Sequence, residues 1–508
     1  MPASHLPPSP SLQNLRKQAK ALLRAVRAGD PKALTAVDEF LPGLPSKPLS
    51  LAAAQLVVAR SYGFPSWRRL REYLQTVAQY ARSPHRYAAG GLADEFLRLA
   101  CLTYGVAEGQ DDVGRHAQAR QLLLEHPDLA RANIYTAAVV GNPVAVAEFL
   151  ATDRRLANGD GGPYRWPPLL YLAYSRVDSD DPARSALDTA RLLLDRGADP
   201  NAGFLSDGEP PPCTALAGAL GGGRDPVNQP RHRHGLALAR QLLRAGADAN
   251  DAFALANVGG NTDDDAYLEL LFEFGLGARA KGPWRDRLGA VVPSPVRLVQ
   301  DQLLIAAHLG LADRLALLLQ HCAGLGIDVD AVGVGPGRGY LRGRTACELA
   351  VLGGHADAER VLTAAGARPP RLDAIERFAA ACLRADRNLA TELLAEDPTL
   401  VRRSASHHLP WRAAIMDRPD AIRLMAAVGF DINANEHGTP LHVAAYAGNL
   451  AAVKALIEAG ADPTARAGNF TKPGDPTASV PDPTPLGFAR YRGHRRIADY
   501  LADLTSTA

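Results

Sequence analysis

Apolar and polar positions follow one another along this chain with the helical period, in short blocks. Residues 11–28 (SLQNLRKQAKALLRAVRA) place Leu12, Leu15, Leu22, Leu23 and Val26 on one face and Arg16, Lys17, Lys20, Arg24 and Arg27 on the other. That spacing predicts an amphipathic helix capped at Ser11. Gly29-Asp30-Pro31 breaks it; a second helix is expected to start near Pro31, a third to cover 50–62, and a fourth to start at Ser66 and run WRRLREYLQTVAQY. From about residue 93 to 504 the blocks come in pairs. The clearest pair opens GTPLHVAAYAGN at 438–449. Thr439 suits a helix cap and Pro440 the first helical position, where its missing N–H costs nothing. Leu441, Ala444 and Ala445 form a buried stripe, and Gly448 ends the block. The following LAAVKALIEAGAD sets Leu450, Val453, Leu456 and Ile457 on one face, with Gly460 as a left-handed helix end.

The pair is one copy of a series. Its closing G-A-D element recurs as RGADPN at 196–201, AGADAN at 245–250 and AGADPT at 459–464, with weaker copies LGIDVD at 325–330, VGFDIN at 428–433 and AGAR at 365–368. Its opening recurs as RTACELAVLGGH at 344–355 and PTPLGFARYRGH at 483–494. Gly429 and Gly460 are 31 residues apart; Gly197 and Gly246 are 49 apart, the excess being a Gly/Pro-rich insertion. Period and motif together resemble the ankyrin repeat family, whose unit is ~33 residues with T-P-L-H-x-A. The resemblance covers roughly four-fifths of the chain and implies a mainly α fold: an ankyrin-type α-solenoid of about eleven helix–turn–helix units with short β-fingers, preceded by a small helical domain. Within 1–85, a basic helical domain, LVVARSYGFPSWRRL resembles a short segment found ahead of ankyrin arrays in many bacterial proteins. Residues 86–280 and 301–508 form the two halves of the array, with an irregular insertion at 281–300. That insertion is either a hinge or a stretch through which the array runs unbroken. The unit at 408–434 departs from the pattern, opening HLPWRAA.

Composition agrees with packed helices: 47% hydrophobic, 22% charged and 6% aromatic among 508 residues. The net charge of +2 is unevenly divided, since residues 1–90 hold thirteen Lys/Arg and four Asp/Glu, leaving a mildly acidic body. The basic piece is expected to cap the open end of the array by packing on the first repeat, or to meet an acidic partner. The five cysteines, Cys101, Cys213, Cys322, Cys347 and Cys382, have no CxxC spacing and an odd count, so a reducing, cytoplasmic setting is the simple expectation. No charged n-region with an apolar run stands at the N-terminus, and no apolar stretch approaches membrane-spanning length.

Candidate chemistry is sparse. The resemblance implies that His442 of TPLH is structural, tying neighbouring loops, and that His355 and His494 after glycine are the same. The pairs His232/His234 and His407/His408 lack a third ligand, so no metal is expected. GVGPGRGYLRGR at 333–344 looks like a phosphate loop but lacks the G-K-[ST] ending, and is read as a finger between repeats whose Arg338, Arg342 and Arg344 could meet an acidic ligand. No G-x-S-x-G, H-E-x-x-H or Cys-His set is present, so neither an enzyme nor a cofactor is expected. A hydrolase or transferase site hidden in the insertions near 203–235 stays open as a third reading. The family likeness implies binding of a protein or peptide by positions the repeat pattern leaves free. Those are Tyr340 and Arg342 in the Gly-rich finger, Glu436, His437 and Tyr446 in the unit at 438–466, and Tyr491 and Arg492 in the last unit. The alternative is a nucleic-acid-associated protein using the basic N-terminal helices.

Overall fold

The computed structural model describes residues 6, 10–43, 48–87, 90–104, 111, 113–177, 181–222, 228–258, 265–278, 282–334, 341–404, 408–435, 438–467, 471–472 and 475–506. It is mainly helical, and the described residues divide into two compact units, those up to 298 and those from 299 onward.

The first unit opens with α1 (Leu12–Arg27), α2 (Pro31–Phe40), α3 (Leu51–Ser61) and α4 (Trp67–Tyr80). Asp30, Ser50 and Ser66 cap the last three through their side-chain oxygens. Leu15, Val57, Leu70 and Val77 form the core of this group, and the five cations of α1 are exposed. Helix pairs follow: α5 (Leu92–Ala100) with α6 (Val113–Glu125), α7 (Ile134–Val139) with α8 (Pro143–Thr152), and α9 (Pro168–Tyr174) with α10 (Ala186–Asp195). Then come α11 (Ala215–Leu220) with α12 (Gly235–Arg244), α13 (Ala252–Val258) with α14 (Ala266–Glu273), and the short α15 (Pro283–Leu288). Trp166 anchors the interior, with Tyr164, Tyr171, Tyr174 and Phe204 at centroid distances of 4.7, 5.3, 5.2 and 4.8 Å.

The N-terminal helices are expected to cap the first repeat, but their contacts run to a later finger. β1 (Ala81–Arg82) pairs parallel with β2 (Gly203–Ser206), Ala81 opposite Leu205, and β2 pairs antiparallel with β3 (Glu209–Thr214). Arg82 donates to Asp160 at 2.8 Å and to the Arg165 carbonyl at 3.2 Å. The stretch at 281–300 is locally ordered where it is described. Its Trp284 is buried with Leu205, Leu288 and Val292 in the N-terminal core, donates to the Asn201 carbonyl at 3.0 Å and meets Tyr80 edge-on at 4.9 Å. Arg287 covers both rings. An indole with a satisfied N–H and aromatic neighbours explains why a Gly/Pro-flanked stretch holds one place.

The second unit holds α16 (Pro295–Leu309, entered from the first), α17 (Ala312–Cys322), α18 (Ala346–Leu352), α19 (Ala356–Ala364), α20 (Ala374–Leu383) and α21 (Arg387–Glu396). It continues with α22 (Leu400–Arg403), α23 (Leu409–Ile415), α24 (Pro419–Ala427), α25 (Pro440–Ala447), α26 (Leu450–Glu458), a small hairpin β4 (Thr471–Lys472) and β5 (Asp475–Ser479), α27 (Pro485–Tyr491) and α28 (Arg495–Ser506). Leu409, Ile422, Leu441, Val453, Phe488 and Leu501 belong to one continuous core through successive pairs.

Both units use one device on the finger side. The Asp of each G-A-D element folds an Asx turn, accepting the amide two residues on: Asp199 from Asn201, Asp248 from Asn250, Asp431 from Asn433. The Asn so placed then reaches the next repeat. Asn201 donates to the Gly246 carbonyl at 3.0 Å and accepts from the Asp248 amide at 2.8 Å. Asn433 does the same to Gly460 and Asp462 at 3.0 and 2.9 Å, and Asn158 to Gly197 and Asp199 at 2.6 and 2.7 Å.

Two tests follow from this packing. Trp284→Ala should cost ~3–5 kcal/mol, the usual price of an aromatic-to-alanine cavity, read as a lower urea midpoint; an unmoved midpoint would contradict the anchor. Ala385 stands at a φ of 58°, left-handed space that disfavours a Cβ, whereas Gly460, at 89°, has nothing within 4 Å of where a Cβ would lie. Ala385→Gly should therefore raise stability and Gly460→Val lower it, each by about 1–2 kcal/mol, in thermal melts.

Candidate partner-binding surface

In the second unit each inner helix ends on a residue in left-handed space: Gly310, Gly354, Ala385, Asp417, Gly448 and Gly493. Helices of six to ten residues leave most carbonyls of the last turn without an intrahelical partner. At four of these six positions the residue after the left-handed one supplies the missing donor from the neighbouring repeat. His355 Nε2 bonds the His308 carbonyl at 3.0 Å, Asn449 Nδ2 the Ile415 carbonyl at 2.9 Å, and His494 Nε2 the Tyr446 carbonyl at 3.0 Å. Arg418 Nη1 reaches two repeats, to the Leu383 and Gly354 carbonyls at 3.0 Å each. Every one of the stitched residues His308, Leu383, Ile415 and Tyr446 stands two before a left-handed position.

Stitching fixes the backbone of these residues and leaves their side chains to the surface. Leu383 is 1% exposed, but in the later repeats the row opens: Ile415 is 46% exposed, Tyr446 half-buried and Tyr491 45% exposed. Trp411, 38% exposed, lies one turn before Ile415 on α23. Arg492 sets its guanidinium 4.7 Å from the Tyr446 ring centre, and Phe488 meets the same ring at 6.2 Å. The structure thus joins Tyr446 to Arg492, with Tyr491 at the equivalent position of the next helix. Arg342 is exposed on the Gly-rich finger, paired through its backbone with Gly333, at the opposite end of the inner helices from the row. Tyr340, Glu436, His437, Arg338 and His407 lie outside the described residues. Trp411 and Ile415 were absent from the sequence-derived candidates; their i, i+4 spacing in the atypical HLPWRAAI block was the available clue.

The repeating left-handed positions carry a period. Gly354, Ala385, Asp417 and Gly448 are 31, 32 and 31 residues apart. The family model for ankyrin repeats in three copies matches residues 378–467, from within α20 to just beyond α26. Residues 378–467 are ankyrin repeats. No curated protein matches the chain. Ankyrin repeats generally mediate protein–protein interaction and are typically non-enzymatic. No described helix is long and apolar enough to cross a membrane.

Within these ankyrin repeats, the histidine of TPLH is part of the frame. His442 is fully buried, its Nδ1 accepts the Thr439 amide at 3.1 Å and its Nε2 donates to the Pro483 carbonyl at 2.9 Å. Burial pulls its pKa down, which suits a neutral ring with one donor and one acceptor nitrogen. His232 is also buried and held down to about 3, by desolvation and then by Arg176. Its Nδ1 accepts the His234 amide at 3.1 Å, and the two rings stand 6.1 Å apart. Among the described residues no group of three His, Cys, Asp or Glu is placed to hold a metal. Residues 203–214 of the insertion form the finger strands, and Arg176 beneath donates to the carbonyls of Ala173, Ser175, Gly218 and Pro230. All five cysteines are buried, and desolvation raises each thiol, Cys101, Cys213 and Cys382 to about 12. None is poised as a thiolate nucleophile.

The stitching has a pH signature. Burial, then the Arg418 charge, lowers His355 from an ordinary 6.5 to about 4. The unfolded chain therefore binds the proton more tightly than the folded one between these values. The contribution is complete above about pH 6.5, is lost as pH falls towards about 4 and is level below. It amounts to roughly 3–4 kcal/mol. His355→Asn, which keeps a donor as Asn449 does, should remove that part of the acid slope in urea titrations between these limits; an unchanged slope would show that His355 is not the group responsible.

Proposed function

We propose that the chain is a non-enzymatic scaffold whose ankyrin repeats bind a protein or peptide through the inner-helix row of Trp411, Ile415, Tyr446, Tyr491 and Arg492, with finger tips such as Arg342 extending the site. One observation carries this reading: Ile415, Tyr446 and Tyr491 stand exposed or half-buried at equivalent positions of successive inner helices, and the neighbouring repeat holds the Ile415 and Tyr446 carbonyls. Rigid aromatic and Arg side chains on a fixed backbone lose little entropy on binding, and these residue types tend to anchor interfaces. The helix pairs outside residues 378–467 belong to the same series of about eleven units. The Asn158 and Asn201 bridges support this, because they repeat the Asn433 bridge of the matched region.

Peptides selected from a random display library against the full chain provide the test. Ile415→Ala with Tyr491→Ala should weaken the selected binders at least tenfold, ~1.4 kcal/mol, with the melting curve kept. Binders of undiminished affinity would move the site elsewhere. The exposed cations of α1 support nucleic acid as the second reading. It requires affinity for duplex or single-stranded DNA that falls steeply with salt and is lost on charge reversal at Lys17, Lys20 and Arg24.

A further inference from the structure

The turns that follow α20 and α23 leave a shallow pocket of about 250 Å³ between them. Arg384 and Arg418 line it, together with Pro419, Asp420 and Ala421 of the first turn of α24. Arg412 stands close enough to Arg418 for their charges to repel. Arg384 pairs through Nη2 with Glu359 at 2.6 Å, but its Nε is buried with no hydrogen-bond partner among the described residues. Arg412 donates one bond, to the Leu352 carbonyl at 3.0 Å. Arg418 spends its Nη groups on the Gly354 and Leu383 carbonyls and on His355 Nδ1. The Asp420 carboxylate is taken by Arg423 at 3.0 Å. Arg384 is thus balanced by Glu359 and Asp420 by Arg423, while Arg412 and Arg418 bond only carbonyls and a histidine among the described residues, leaving two positive charges uncompensated.

The helix end adds to this. α24 begins on Arg418, which offers no acceptor to the first-turn amides, whereas α21 begins on Asp386, which accepts from the Leu389 amide at 3.1 Å. An uncapped helix start carries partial positive charge and free N–H groups. Burial, then the charges of Arg412 and Arg384, disfavours the Arg418 cation, a cost that a bound anion would relieve.

We propose that this pocket is a binding site for a doubly charged oxyanion of phosphate size. The anion accepts from Arg384 Nη1, which makes no hydrogen bond among the described residues, supplies the missing cap of α24 and balances the two surplus charges. The volume lies below the ~300–1,000 Å³ of pockets that take drug-sized ligands, which excludes a whole nucleotide and suits a single phosphate group. The group comes either from the free ion or from a phosphorylated side chain. The site does not depend on the aromatic row.

Calorimetric titration of the full chain at fixed ionic strength set with chloride tests it, using inorganic phosphate and a phosphoserine peptide with its unphosphorylated twin. Saturable binding of either phosphate probe, weakened at least tenfold by Arg384→Gln and by Arg412→Gln but unaffected by Tyr491→Ala, supports the site. Preference for the peptide over the free ion assigns the phosphorylated source, and the reverse assigns the small anion. Melting curves taken alongside confirm that each variant is folded, and Arg412→Gln decides the matter where Arg384→Gln is not. No saturable binding at about 10 mM, tenfold above a Kd of ~1 mM, overturns the proposal. So does equal affinity in the folded variants.

Discussion

Everything in the second unit depends on how very short helices satisfy their last carbonyls. An isolated helix of seven or eight residues is unstable in water, because nucleation costs more than so few bonds return. Here the next repeat completes the helix. A side chain standing just after a left-handed turn donates across the interface: His355 to His308, Asn449 to Ile415, His494 to Tyr446. Each bond contributes about 1 kcal/mol net, but a buried carbonyl left without it costs more than that. The stack is therefore cooperative between neighbours even though each pair touches little else.

The finger side solves the same problem with a different residue. The Asp of each G-A-D element spends its carboxylate on its own turn, and the Asn that follows uses both ends of its amide on the next finger. Only a side chain with a donor and an acceptor on one carbon can bond a carbonyl and an amide together. In the first unit these fingers also meet the N-terminal helices. β1 adds a strand beside β2, and Trp284 seals the junction from below. The basic helices are thus built into the body of that unit through its fingers.

Much of this was legible in the sequence. The helix start at Ser66, the breaker at Gly29–Pro31 and the left-handed Gly460 follow from local chemistry, whereas the cap expected at Ser11 is not formed, since its hydroxyl accepts no first-turn amide. Two repeats were harder to read because Ala385 and Asp417 occupy left-handed positions that glycine fills elsewhere. Asp417 has a local reason, since its carboxylate accepts the Ala452 amide at 2.8 Å. The Asn of RGADPN was visible as part of a motif, but its bridging role needs the neighbouring finger in place. Trp284 gave no periodic pattern, since one large side chain anchors its stretch. In the exposed row, Tyr446, Tyr491 and Arg492 followed from the repeat register. Ile415 and Trp411 did not, because HLPWRAA hides which of its residues corresponds to which in TPLHVAA.

That register, once set by the left-handed residues, gives the row its meaning. A residue whose carbonyl is bonded to the next repeat has a backbone that cannot move independently, so its side chain projects from a fixed point. In Leu383 the side chain is spent on the core; in Ile415 it is not. A chain that needed these positions only for stability would gain by burying them, at ~25 cal/mol per Å² of apolar surface. Burial of the stripe ends at the atypical HLPWRAA block, and the exposed side chains that follow differ in kind while standing at equivalent positions. Rigid frame and variable side chain are therefore separated residue by residue, so specificity can change at Ile415, Tyr446 or Tyr491 without altering the hydrogen bonds that hold the stack.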